Sequence, residues 1–72
     1  MEREVLLKQL GERIRQIRNS KGISQAKLAA IINKDQQAIH RIEAGKVNPT
    51  YYHLHLIAQG LNVALEEIIR EK

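Results

Sequence analysis

Residues 24–45 read SQAKLAAIINKDQQAIHRIEAG, and the fold turns on how that stretch divides. Ser24 opens a short helical pattern in which Leu28, Ala29 and Ile32 recur at helical spacing. A second pattern starts at Asp35, a good N-cap residue, and sets Ile39 and Ile42 on one face. Asn33 stands between them, one of the few non-glycine types that tolerates a left-handed backbone. Two helices joined by so tight a turn make a compact unit whose second helix can be pushed outward. Function then rests on what that second helix shows to the outside.

Stepping its residues at about 100° each, with the Ile39/Ile42 side buried, puts Gln37, Arg41 and Ala44 opposite and His40 beside them. Gln36 lies nearer the flank, but from the first turn its side chain reaches past the helix end. Glutamine offers a donor and an acceptor together, matching N6 and N7 of adenine; the arginine fork matches O6 and N7 of guanine. An isolated solvated helix could carry the same residues. This outer face, however, holds no acid and follows a helix-turn signature.

The remaining apolar spacing predicts an all-α chain with further helices over 2–20, 51–60 and 65–70, beside 25–32 and 36–44. The first carries Leu7, Leu10, Ile14 and Ile17 on one stripe and stops at Gly22; Gly45 stops the third. Thr50 is the expected N-cap of the fourth, which buries Leu54, Ile57 and Ala58; the fifth carries Leu65, Ile68 and Ile69. Seventy-two residues without Phe, Trp or Cys must build their core from Leu, Ile, Val and Ala. They form a single domain, 1–72, and disulfides and thiolate metal sites are excluded. No apolar run approaches the ~18 residues of a membrane span, and the charged start is no signal peptide. Residues 13–46 hold eight basic and two acidic side chains, so the net charge of +4 is concentrated where the outward helix lies. A basic middle between mildly acidic ends suits a polyanion.

The ordered set of residues resembles the lambda-repressor-like helix-turn-helix domain of the Xre or Cro/repressor type, from about Leu10 to about Ile69. Arg18 and Gly22 match ahead of the motif, Ser24-Gln25 and Leu28-Ala29 within its first helix, and Ile39, Ile42-Glu43 and Gly45-Lys46 at its end. Asn48-Pro49-Thr50, Ile57-Ala58, Leu61 and Val63 follow in register, and the Gln36-Gln37 pair is similar to the recognition helix of lambdoid phage repressors. The resemblance implies a compact five-helix domain in which Gln36, Gln37 and Arg41 read bases. It implies a structural ion pair between Arg18 and Glu43, and phosphate contacts from Gln25, Lys46, Asn48, His40 and Arg15. Tyr51 could bind phosphate or pack into the core. Departures stand at Lys34, where a small hydrophobe is usual, at Ala44, a shorter residue than usual, and at Ala64, which lacks a capping hydroxyl and predicts a frayed or differently capped last helix.

The function this implies is a sequence-specific transcriptional regulator, a repressor reading the major groove of a palindromic double-stranded operator with its third helix. The alternative is an antitoxin that binds a toxin protein and autoregulates its operon; the chain offers no toxin-wrapping tail after the fifth helix. Tyr52 and Leu56 lie one turn apart on the face opposite Leu54 and Ile57, and with Ile69 they predict a weak homodimer surface, whereas Val5 and Ile31 read as scattered exposed hydrophobes. The expected location is the cytoplasm of a bacterial, phage or plasmid system, at the nucleoid. No cofactor is implied. His53 and His55 point in different directions on a helix, so no metal site is expected. Ser20, Ser24 and Thr50 sit at turns or caps without an Asp/His arrangement to activate them, so no enzyme is expected either.

Overall fold

Four helix ends close in one way and set the shape of the chain. In the computed structural model, which describes residues 2–70, the helices are α1 (Arg3–Ser20), α2 (Gln25–Ile31), α3 (Gln36–Glu43), α4 (Tyr51–Leu61) and α5 (Leu65–Ile69). After α2, Asn33 takes the left-handed conformation at φ 58°; its N–H donates to Ala30 O at 3.3 Å and the Lys34 N–H to Ala29 O at 2.8 Å. That double closure is a Schellman motif. It recurs after α1, α3 and α4, with Gly22, Gly45 and Asn62 at positive φ. The expected helices differ from these by a residue at an end. Ile32, Ala44 and Arg70 are C-caps, Glu2 is an N-cap, and Leu61 still belongs to α4.

The starts are less uniform. Ser24 Oγ accepts the Lys27 N–H and Thr50 Oγ1 accepts the His53 N–H, each at 3.0 Å. Asp35 has the N-cap backbone, but its side chain makes no capping hydrogen bond. Its carboxylate therefore favours α3 only as a negative charge near the helix N-terminus. Ala64 has no side-chain acceptor; instead Glu67 Oε2 accepts the Ala64 N–H at 3.1 Å, so α5 is capped from within.

The core joins one face of every helix: Ile14 from α1, Leu28 and Ala29 from α2, Ile39 and Ile42 from α3, Leu54, Ile57, Ala58 and Leu61 from α4, and Ile68 from α5. Leu10 and Ile17 pack partly buried against it. Leu7 instead lines a surface groove with Arg3, Leu6, Leu10, Arg13, Asn48 and Ile69. α3 packs on both α2 and α1, α4 on α2, and α5 on α1 and α4. Arg13 Nε donates to Ile68 O at 2.7 Å, satisfying a carbonyl in the last turn of α5 and tying that helix to α1. Two glycines permit close crossings. A β-carbon at Gly11 would overlap the carbonyl oxygens of Ile42 and Glu43, and one at Gly60 would lie 2.7 Å from Ile32 Cγ2. α3 is thus clamped from behind while its front stays open.

Candidate nucleic-acid interface

The burial of Ile39 (0% exposed) and Ile42 (2%) fixes the rotation of α3, and Gln36, Gln37, His40 and Arg41 consequently face solvent. The acid within α3, Glu43, is turned inward and buried. The exposed ridge runs between two clefts. On the α2 side, Gln36, Gln37 and His40 share a cleft with Gln25. On the α4 side, Arg41 lines another with Asn48, Thr50 and His53. Lys34 and Ala44 do not alter this arrangement: Lys34 is exposed in the turn, and Ala44 is the partly buried C-cap of α3.

Beneath the ridge lies a buried polar network. The Arg18 fork grips Glu43 with Nε to Oε2 at 2.6 Å and Nη2 to Oε1 at 2.9 Å. Arg18 Nη1 also reaches Ile23 O at 2.7 Å and Asn19 Oδ1 at 3.1 Å, while Gln25 Nε2 donates to Glu43 Oε1 at 3.0 Å. The hydrogen bond from Arg18 to Glu43 raises the guanidinium pKa further above its already high value, so the cation is permanent. The end of α1, the start of α2 and the end of α3 are therefore locked together by groups whose burial is tolerable only as a set.

The residues expected at phosphates fare unequally. Lys46, Asn48 and His40 are exposed around the end of α3 and its following loop. Arg15 is exposed but paired with Glu12 one turn back on α1, whose carboxyl pKa that hydrogen bond lowers. Gln25 has committed one amide hydrogen to Glu43. Tyr51 does not pack into the core: it is 69% exposed and stands edge-on to His55, with ring centroids 4.6 Å apart. It belongs to the first turn of α4, where no neighbouring element covers it.

The three residues expected at a dimer surface are not gathered in one groove. Tyr52 is 70% exposed, whereas Leu56 is partly buried in a groove with Ile31, Ile32, Gln59 and Gly60. Ile69 lines the separate groove against α1. Ile31, which the sequence marks as a scattered hydrophobe, shares the Leu56 groove. Among the described residues no group of three or more His, Asp or Glu side chains could hold a metal ion, and no helix is long and apolar enough to cross a membrane.

A five-helix fold whose third helix turns an acid-free face outward defines the class, and sequence comparison agrees: residues 14–68 match the helix-turn-helix family. The chain belongs to this family of DNA-binding transcriptional regulators, which are not enzymes. It is 32% identical over 62 residues to an HTH-type transcriptional regulator of Sinorhizobium fredii, covering 86% of this chain and 80% of that protein. Its fold matches the restriction-modification controller protein C.AhdI from Aeromonas hydrophila with a TM-score of 0.84 and 29% identity, over 86% of this chain and 94% of that one. The controller protein C.Esp1396I, solved as a tetramer in complex with its natural 35 base-pair operator, matches with a TM-score of 0.78 and 34% identity, over 90% and 96% of the two chains.

Proposed function

We propose that this protein is a sequence-specific repressor that lays α3 in the major groove of a palindromic operator. The observation that carries the reading is the outward face of α3, where Gln36, Gln37 and Arg41 stand exposed while Glu43, the helix's acid, is turned into the core. Gln36 and Gln37 are suited to adenine edges and Arg41 to guanine. Lys46, Asn48, His40 and the free N–H of Gln25 supply backbone contacts that set register without reading sequence. Arg15, held by Glu12, is the weakest of the phosphate candidates.

One recognition helix spans few base pairs, so high specificity needs two. The surface offered for this is Tyr52 and Leu56, extended by Ile31, with Ile69 contributing a separate edge. C.Esp1396I, which binds its operator as a tetramer, supports assembly on DNA as the mode of action. The antitoxin alternative gains no support from these relatives, which are regulators.

Selection of bound duplexes from a random pool tests DNA binding and returns the site. The recovered motif should be two inverted half-sites whose bases change when Gln36, Gln37 or Arg41 is replaced. Each of those positions changed to Ala should cost about 1–3 kcal/mol of specific affinity. Equal losses on specific and random duplexes would remove the residue from base reading.

A further inference from the structure

Glu43 does more than neutralise Arg18. Its Oε1 accepts two hydrogen bonds, from Arg18 Nη2 at 2.9 Å and from Gln25 Nε2 at 3.0 Å, and the residue is only 7% exposed. Gln25 is partly buried, and it lines the cleft that also holds Gln36, Gln37 and His40. An unconstrained glutamine amide can turn over and exchange its donor and acceptor ends. A carboxylate only accepts, so it takes the amino end and fixes that turn. One N–H and the carbonyl of Gln25 are left for the cleft.

We propose that Glu43 is a positioning residue for DNA binding, acting through Gln25: it holds the amide in one orientation, with the second N–H preset for a backbone phosphate. Arg18 in turn holds the Glu43 carboxylate through both oxygens, so the buried pair reaches the interface through one uncharged side chain. A glutamine already ordered in the free protein loses less side-chain freedom when DNA arrives. The inference rests on the DNA-binding reading above.

The test is a double-mutant cycle read in DNA affinity. Gln25→Ala in the otherwise unaltered protein should weaken binding about five- to tenfold, the worth of one hydrogen bond, and should do so equally on selected and random duplexes because a phosphate carries no sequence. The same change should cost less than about twofold when Arg18 and Glu43 are both Met, an exchange of a buried ion pair for apolar side chains that preserves folding in other proteins. An equal loss in both backgrounds overturns the positioning role and leaves DNA binding intact. Failure of the unaltered protein to bind any duplex overturns the DNA reading beneath it. Should the paired Met protein not fold, NMR relaxation of the Gln25 side-chain amide in the free, unaltered protein decides. Order as high as in the adjoining backbone is expected, and an amide that averages freely overturns the proposal.

Discussion

At Gly11 the backbone of α1 passes so close to the end of α3 that a β-carbon would overlap two carbonyl oxygens. Those carbonyls are fixed by helix geometry and cannot swing aside as a side chain would. Gly11→Ala should therefore cost about 2 kcal/mol or more, seen as a lower urea midpoint with an unchanged m-value. Nothing in the sequence marks this position, because a glycine inside a helical stripe reads as a mild defect until the crossing helix is known. His53 is similar. Its Nε2 is enclosed without a hydrogen-bond partner, and burial, followed by the nearby Lys34 charge, lowers its pKa from the ordinary 6.5. The unfolded chain then binds the proton more readily, so the stability due to neutral His53 is complete above pH 6.5 and is lost as pH falls from there toward the folded-state pKa. His53→Gln should flatten the loss of stability as pH falls below 6.5. Identical pH slopes for the two proteins in denaturant titrations would assign that acid sensitivity elsewhere.

Helix ends show which parts of a fold a sequence announces. Asn33 and Gly45 were legible as stops because left-handed backbone admits few residue types. Asn62 closes α4 by the same geometry, yet it follows Leu61 without a break in apolar spacing, and the helix was read as ending earlier. If the Asn33 conformation is what joins α2 to α3, Asn33→Gly should leave stability nearly unchanged. Asn33→Ala should lower it by about 1 kcal/mol, since alanine tolerates the left-handed conformation less well than asparagine. Thermal melts followed by circular dichroism would separate the two, and equal melting points would show that the turn is held by its neighbours instead. The outward set on α3 was legible because two buried isoleucines suffice to phase a helix of eight residues. Of the two readings of Tyr51, core packing fails for a related reason. Phasing says which way a side chain points, not whether anything lies there to cover it. The meeting of Arg18 and Glu43, 25 residues apart in the chain, came only through family resemblance, because spacing within one helix carries no information about another.

On the proposed function, the whole molecule attracts DNA and assembles on it as two copies. Eight of the basic side chains lie in residues 13–46, but the structure divides them. Arg18 and Arg13 are engaged within the fold, Arg15 is paired with Glu12, Arg41 is exposed on α3 and Lys46 is exposed just after it. Lys46→Ala should flatten the slope of log affinity against log salt by about 0.9, whereas Arg15→Ala should change it less because Glu12 already offsets that charge. Equal slopes for the two variants would show that Glu12 releases Arg15 to the phosphates. The proposed dimer belongs to the same scale. A two-fold pair would set its recognition helices about one DNA turn, ~34 Å, apart, and the groove of Ile31, Ile32 and Leu56 is small. So small a surface gives a weak free dimer, with operator binding completing assembly by mass action. Leu56→Lys places a charge against Ile31 and Ile32, and should weaken cooperative binding to a full palindrome while leaving binding to a single half-site and the helix content intact. Sedimentation with and without operator reads the stoichiometry directly. Two copies per palindrome are expected for the unaltered protein, with one copy predominating for the Lys variant at the same concentration. A stable complex of one unaltered copy with a full palindrome would place the second half-site outside the mechanism.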